Sequence, residues 1–217
     1  MATQTAEKKQ TATIIARLKK AYPDAHCALD HRTPLQLLIA TILSAQCTDV
    51  RVNMVTPELF KRFPDAASLA AANITNIEQI IRSTGFYRAK ARAIQQTAKL
   101  LVERYNGKVP DTMESLTSLS GVGRKTANVV LGNAFGKNVG IVVDTHVGRI
   151  SRRLGLTRQD NPEKVEQDLM KLVPQKQWAL FAHLLIFHGR QVCFARKPDC
   201  ESCTLADLCP SAFKIAK

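Results

Sequence analysis

This chain of 217 residues is short of acidic side chains and of long hydrophobic stretches. It has 18 Asp and Glu against 31 Lys and Arg, which gives a formal net charge of +13 at pH 7. The densest apolar stretch, residues 35–43, is interrupted by Gln36 and Thr41 and falls short of the roughly 20 residues that span a bilayer. Residues 1–10 lack the apolar region of a signal peptide. We therefore expect a cytoplasmic protein that does not attach to membranes and that binds a polyanion, nucleic acid rather than lipid.

The sequence also lacks internal repeats and the alternation of strands and helices that builds a parallel sheet. Apolar residues recur at helical spacing almost throughout, which predicts an all-α fold. The predicted helices include residues 14–22, 34–43, 66–72, 74–81, 90–105, 126–135, 162–173 and 177–188. We expect Thr48 and Asp49 to form an N-cap region. Residues 139–143 should form an extended connector, and a loop should follow Gly189.

The densest motif is the run LSGVGRKTA at residues 119–127. Gly121 and Gly123 flank Val122 and allow a tight turn between two helices. The second helix would begin at this turn, where unpaired N–H groups favour a phosphate oxygen. A helix-hairpin-helix over about residues 116–135 would grip a nucleic-acid strand through its backbone. The alternative is an ordinary helix–helix turn with a glycine cap.

Lys125 falls in the first turn of that second helix. On the residues alone it is either a surface charge that contacts solvent or phosphate, or a nucleophile able to form a Schiff base. A nucleophilic lysine must be neutral, and burial, the helix N-terminus and the neighbour Arg124 would favour that form. Asp144, which precedes Thr145, reads on its own as a helix N-cap.

The six cysteines are unevenly distributed. Cys27 and Cys47 stand alone, whereas the other four follow the spacing C-x6-C-x2-C-x5-C. These four are Cys193, Cys200, Cys203 and Cys209. Without a secretory signal a disulfide framework is not expected. Four thiolates hold either a tetrahedral Zn²⁺ or a 4Fe–4S cluster, and the spacing leaves both open.

Taken together, these motifs resemble the helix-hairpin-helix–Gly/Pro–Asp superfamily of DNA glycosylases, and within it the endonuclease III family. The resemblance rests on LSGVGRKTANVVL at 119–131 with VDTH at 143–146, SAQCTD at 44–49, GFY at 85–87 with Lys90-Ala91, and the cysteine cluster. It extends from about residue 12 to Pro210. It implies two helical domains with a DNA-binding cleft between them and a 4Fe–4S cluster held by the four clustered cysteines. Residues 27–137 would form a six-helix barrel, and residues 1–26 with 138–217 an iron–sulfur domain.

The resemblance also implies roles for individual residues. Lys125 matches the Schiff-base lysine and Asp144 the catalytic aspartate. Gln46 matches the residue that enters the space left by a flipped nucleotide, and Phe86 stands where the family often carries a leucine wedge. Ser120 stands where proline is usual. The other expected DNA contacts are Gly121, Val122, Gly123, Arg124, Thr126, Arg196 and Lys197.

The implied activity is removal of oxidised pyrimidines from duplex DNA, followed by β-elimination at the abasic site through a lysine Schiff base. The partner would be duplex DNA that contains damaged pyrimidines or abasic sites, and the protein is expected to be a monomer. Two alternatives remain. One is an adenine glycosylase of the same superfamily, which lacks the nucleophilic lysine and normally has a further C-terminal domain. The other is a non-catalytic helix-hairpin-helix DNA-binding protein, against which Lys125 and Asp144 argue together.

Overall fold

A computed structural model describes residues 2–214 of the chain. Within this range the chain forms eleven α-helices and no β-strand, so the predicted all-α fold is confirmed. The helices are α1 (Ala2–Ala21), α2 (Pro34–Leu43), α3 (Asp49–Arg62), α4 (Ala66–Ala71), α5 (Ile74–Ile81), α6 (Tyr87–Tyr105), α7 (Met113–Thr117), α8 (Arg124–Ala134), α9 (Thr145–Arg153), α10 (Pro162–Leu172) and α11 (Trp178–Gln191). Met1 and residues 215–217, which the expected iron–sulfur domain includes, lie outside the described residues.

Side-chain caps determine where several helices begin. Thr33 accepts a hydrogen bond from the backbone N–H of Gln36 at 3.2 Å, and Pro34 occupies the first position of α2. Thr48 caps α3 in the same way through the N–H of Arg51, as its N-cap prediction required. Residues 139–143 form a connector that is neither helix nor strand and that bends at residues 139 and 140.

The structure differs from the sequence expectations at several helix ends. Helix α1 begins at Ala2, twelve residues before the predicted start. Helix α6 begins at Tyr87 and α8 at Arg124, three and two residues before the predicted starts. Helix α11 continues past Gly189 to Gln191, so the loop predicted after Gly189 starts too early. The start of α9 at Thr145 agrees with the N-cap prediction for Asp144, whereas the extent of this helix to Arg153 was not predicted.

The chain divides into two compact units. The internal unit is Cys27–Lys137 and contains α2 to α8. The terminal unit combines Met1–His26 with Asn138–Lys217 and contains α1 and α9 to α11.

Helix α2 lies at the centre of the internal unit. All residues from Leu37 to Leu43 are buried, and they pack against α3, α6 and α8. A helix that is apolar on every side is stable only when neighbours cover it all round. The C-terminus of α2 therefore delivers the polar segment 44–47 from a rigid core to the surface.

In the terminal unit, α11 packs against both α1 and α9. Arg17 of α1 pairs with Asp207 and donates a hydrogen bond to the carbonyl of Thr204 at 3.0 Å. Gln10 donates to the carbonyl of Leu208 at 3.1 Å. These bonds attach the N-terminal helix to the segment that carries the last cysteines. Among the described helices, none combines the length and the hydrophobicity that crossing a membrane requires.

Candidate functional site

The turn between α7 and α8 is a tight hairpin in which one glycine is required. Gly121 has a φ of +74°, and a Cβ added there would lie 3.0 Å from the Cβ of Ala93 in α6. Both the left-handed backbone and this close approach exclude a larger side chain. Val122 is buried and fills the space between the helices, whereas Gly123 is exposed. The predicted helix-hairpin-helix is present.

Hydrogen bonds anchor the entry of the hairpin to α6. The hydroxyl of Thr97 donates to the carbonyl of Ser120 at 2.7 Å. The hydroxyl of Ser120 donates to Oε1 of Gln96 at 2.8 Å. Ser120 is thus held to α6 through both its carbonyl and its hydroxyl.

Helix α8 begins with Gly123 as its N-cap, a residue that has no side chain to cap the first-turn N–H groups. Lys125 lies in that first turn and is exposed. The expectation that burial helps to neutralise this lysine is wrong, because the side chain is exposed. The N-terminus of α8 offers backbone N–H groups and the Lys125 amine to an incoming anionic strand.

Gln46 and Phe86 share two unusual properties. Both are exposed, Phe86 to 69%, and both have left-handed backbones, with φ of 52° and 47°. Such conformations are uncommon outside glycine and concentrate at functional sites. Both side chains line one open cavity in the internal unit. Its other lining residues are Ile42, Ala45, Ala89, Lys90, Ala93 and Gly121.

Asp144 is the N-cap of α9. Its Oδ1 accepts a hydrogen bond from the N–H of Val147 at 2.8 Å, so the N-cap prediction from the residues alone is confirmed. The cap holds one carboxylate oxygen and orients the other. His146 lies two residues on, and burial lowers its pKa although the charge of Asp144 acts in the opposite direction.

The four clustered thiols line a single cavity in the terminal unit. Two N–H groups point at their sulfur atoms: Nη1 of Arg153 lies 3.2 Å from Sγ of Cys193, and the N–H of Leu205 lies 3.4 Å from Sγ of Cys203. Nε2 of His188 is 3.6 Å from the same Cys203 sulfur. Such N–H groups surround and stabilise thiolate ligands of iron–sulfur clusters.

Burial raises the pKa of Cys203 and Cys209, and the neighbouring cysteines raise it further. Thiolates gathered in such a place need a cation to compensate their charge. Among the described residues, no three His, Cys, Asp or Glu side chains are grouped closely enough to hold a single metal ion. A four-iron cluster takes one thiolate on each iron and therefore fits thiols arranged around a cavity.

Two arginines of α9 hold the start of the cysteine loop. The sequence alone does not predict this role. Arg153 donates to the carbonyls of Phe194 at 2.7 Å and Ala195 at 2.8 Å. Arg149 donates to the carbonyl of Cys193 at 2.8 Å. Their spacing of four residues places them on one helix face, but the sequence alone does not show that this face packs against the cysteine loop. The loop then exposes Arg196 and Lys197, with Lys197 at a φ of 49°.

Comparison with known proteins identifies families for both parts of the site. Residues 39–175 match the family model described as the HhH-GPD superfamily base excision DNA repair protein. Residues 193–209 match the iron–sulfur binding domain of endonuclease III. The second match spans the four clustered cysteines and decides between zinc and iron–sulfur: the cofactor is a 4Fe–4S cluster.

Curated relatives match almost the whole chain. The protein is 59% identical over 208 residues to endonuclease III from Synechocystis sp., a match that covers 95% of each chain. It is 44% identical over 210 residues to endonuclease III from Bacillus subtilis, covering 96% of this chain and 95% of the relative. It is 41% identical to that from Escherichia coli, covering 96% of this chain and 98% of the relative.

Solved structures agree with these relatives. The fold superimposes with a TM-score of 0.90 on a non-covalent endonuclease III–DNA complex that is 48% identical in sequence, covering 95% of this chain and 97% of the other. The same values hold for a trapped endonuclease III–DNA covalent intermediate. A thermostable thymine-DNA glycosylase, 23% identical with a TM-score of 0.85 over 95% of this chain and 98% of the other, shares the fold. The chain therefore belongs to the HhH-GPD superfamily of base excision DNA repair proteins and, within it, to the endonuclease III family.

Proposed function

We propose that this protein is a bifunctional DNA glycosylase and abasic-site lyase that removes oxidised pyrimidines from duplex DNA. The observation that carries the proposal is the exposed Lys125, which lies in the first turn of α8 directly after the hairpin. A strand whose phosphate binds the first-turn N–H groups of α8 has its sugars within reach of this amine. The substrate is chromosomal DNA, so we place the protein in the cytoplasm at the nucleoid.

In the proposed reaction the neutral amine of Lys125 attacks C1′ of the damaged nucleotide. The N–C1′ bond forms as the glycosidic bond breaks, and the base leaves with a proton from the amine. The nitrogen lone pair then forms a C1′=N double bond as the C1′–O4′ bond of the sugar ring breaks and O4′ takes up a proton from solvent. The resulting iminium ion acidifies C2′. Loss of a C2′ proton and cleavage of the bond between C3′ and its oxygen then release the 3′ phosphate, which completes a β-elimination.

Asp144 has two proposed tasks in this reaction. Its carboxylate stabilises the positive charge that develops on the sugar as the base leaves, and it accepts a proton from Lys125. The N-cap bond to Val147 supports the proposal, since it fixes the carboxylate before substrate binds.

Gln46 and Phe86 are proposed to enter the duplex when the target nucleotide leaves the base stack. An exposed aromatic side chain can separate stacked bases as a leucine does. Their shared cavity and strained backbones support this assignment. Gly121, Val122, Gly123, Arg124 and Thr126 are the further residues proposed to contact the strand.

Cys193, Cys200, Cys203 and Cys209 are the proposed ligands of the 4Fe–4S cluster. When bound, the cluster crosslinks the loop and keeps its shape. Arg149 and Arg153 hold the same loop through its carbonyls. A loop held from both sides presents Arg196 and Lys197 as fixed contacts for phosphate.

Borohydride trapping tests the proposal. Duplex DNA that contains thymine glycol or an abasic site is incubated with the protein, and borohydride then reduces any Schiff base. We expect a covalent protein–DNA adduct that disappears in Lys125→Ala and persists in Lys108→Ala, which removes an exposed lysine elsewhere in the internal unit. The absence of an adduct with the parent protein would exclude the lyase activity and leave glycosylase-only or binding roles.

Asp144 requires variants that separate chemistry from helix capping. Asparagine caps a helix about as well as aspartate, so Asp144→Asn should form little adduct and still fold. Asp144→Ala loses the cap as well, which costs about 1 kcal/mol. Equal adduct formation by Asp144→Asn and the parent would limit Asp144 to its capping role.

A further inference from the structure

Lys90 of α6 is a buried lysine that the proposed reaction does not use. Its residue is only 6% exposed, and burial lowers the pKa of its ammonium group. Its Nζ donates two hydrogen bonds of 2.8 Å, one to the carbonyl of Leu43 and one to the carbonyl of Thr84. A buried ammonium group is costly unless its N–H groups are hydrogen-bonded. These two bonds therefore stabilise Lys90 in its buried position.

The two carbonyls belong to the two segments that carry the wedge residues. Leu43 ends α2 and precedes Gln46 by three positions, and Thr84 precedes Phe86 by two. The segments are far apart in sequence, yet one nitrogen atom bonds to both. The left-handed backbones of Gln46 and Phe86 lie immediately beyond these anchored carbonyls. Strained conformations persist only where the surrounding structure holds them.

The same side of α6 also holds the hairpin. Ala93 lies one turn after Lys90, and its Cβ would lie 3.0 Å from a Cβ added at Gly121 of the hairpin. Thr97, another turn on, donates to the carbonyl of Ser120. Positions 90, 93 and 97 share one helix face, so α6 aligns both wedge segments and the hairpin along a single rigid element.

We propose that Lys90 is a positioning residue for base displacement. By bonding to both segments it sets the separation of Gln46 and Phe86, so that the two side chains enter the same gap in the duplex together and displace the base on the facing strand. The inference rests on the proposed roles of these two residues. Lys90 itself does not touch the reacting sugar, so its loss impairs the opening of the base stack and leaves the chemistry of Lys125 intact.

The test compares two DNA duplexes that differ in the need for displacement. In the first, an abasic site faces guanine. In the second, it faces a tetrahydrofuran residue, so that no base on either strand has to leave the stack. The variant is Lys90→Met, which keeps the length of the apolar stem and removes the donors. The control is Lys99→Met, which removes an exposed lysine from the same helix.

We expect the ratio of cleavage rates, guanine duplex over tetrahydrofuran duplex, to fall by about tenfold in Lys90→Met, as loss of charge-assisted hydrogen bonds commonly costs. In Lys99→Met the ratio should stay within about twofold of the parent, as for an ordinary surface substitution. A ratio unchanged in Lys90→Met, including one where both rates fall equally, would overturn the inference and make Lys90 a stability residue.

Two further arms keep the test decisive. If Lys90→Met does not fold, Lys90→Gln replaces it, because the shorter amide cannot reach both carbonyls, and the same ratio decides. With 2-aminopurine opposite an uncleavable abasic analogue, fluorescence reports unstacking directly, and the Lys90 variant should show a smaller rise than Lys99→Met. If the parent protein cuts neither duplex, the proposed function fails and the inference falls with it, an outcome distinct from an unchanged ratio.

Discussion

Burial keeps an imidazole neutral at pH values where a free histidine takes up a proton. In α11, His183 and His188 both have pKa values lowered to about 4, in each case mainly by burial. The charge on His26 adds to the effect at His183. His188 is also held on both ring nitrogens, by the hydroxyl of Tyr22 at 3.0 Å and by the sulfur of Cys203. These residues therefore act as packed neutral groups in the folded protein.

This burial predicts acid sensitivity from His183. The unfolded chain binds a proton near pH 6.5, whereas the folded protein binds it only near pH 4. The unfolded state thus holds more protons between these values, and stability falls as the pH drops through this window, by at most about 1.4 kcal/mol per pH unit. Urea unfolding of the parent and of His183→Gln at pH 7 and pH 5 should show the smaller loss in the variant. Equal losses would contradict the assignment.

Among the secondary-structure elements, α9 has functional groups at both ends. Asp144 caps its first turn, and Arg149 and Arg153 bind the carbonyls of the cysteine loop from its later turns. Close packing of α9 against α11 makes this arrangement possible. Gly189 of α11 allows side chains of α9 to approach closely. A Cβ added at this glycine would lie 2.6 Å from Nδ1 of His146 and 2.9 Å from Cδ1 of Ile150.

Two glycine substitutions in these helices should therefore act in opposite directions. Alanine favours a helix by about 1 kcal/mol over glycine. In Gly148→Ala the new Cβ would meet neighbours at ordinary contact distances of 3.6 and 3.7 Å, so stability should hold or rise. In Gly189→Ala the overlap should outweigh the helix preference and cost about 1–3 kcal/mol.

Thermal unfolding measures the difference, and each kcal/mol corresponds to about 2–4 °C in Tm for a protein of this size. A Gly189→Ala protein as stable as the Gly148→Ala protein would mean that the side chains of His146 and Ile150, or α9 as a whole, can move away at little cost.

On the scale of the whole molecule, the net charge of +13 can attract DNA only through the basic side chains that are exposed. Lys125 follows the hairpin of the internal unit, and Arg196 and Lys197 are exposed in the terminal unit. Other cations are used internally: Lys90 is buried, Arg153 binds loop carbonyls, and Arg17 pairs with Asp207. The formal charge therefore overstates the number of cations that can meet DNA.

The salt dependence of DNA binding measures how many cations of the protein contact DNA phosphates. Each phosphate contacted contributes about −0.9 to the slope of log affinity against log salt concentration. Five or more contacts should weaken binding by more than about a hundredfold between 50 and 200 mM salt. Arg196→Ala and Lys197→Ala should each reduce the slope by about one. The control Lys171→Ala removes a lysine that pairs with Asp168 and should leave the slope unchanged. If the affinity of the parent protein did not change with salt concentration, its positive charge would have no role in binding phosphate.

Local features of the structure could be predicted from the residues because their causes are local. Pro34 and Thr48 mark helix starts through backbone restriction and capping. The glycines at 121 and 123 mark the hairpin, and the cysteine spacing marks the metal-binding loop. The resemblance of these motifs to a known family then indicated the activity and the cluster, which the comparisons confirm.

Other features depend on segments that are distant in sequence, and only the tertiary structure decided them. Lys90 reads as an ordinary basic residue until the ends of α2 and of the segment before α6 meet at its Nζ. Gly189 reads as a helix end until α9 packs against it. Lys125 was expected to be buried, yet the position of α8 leaves it exposed. The sequence by itself determined the elements and the reactive groups, because turns, caps and side-chain chemistry act over a few residues. The tertiary structure decided which groups are buried, strained or held together, because those properties arise only where remote segments pack.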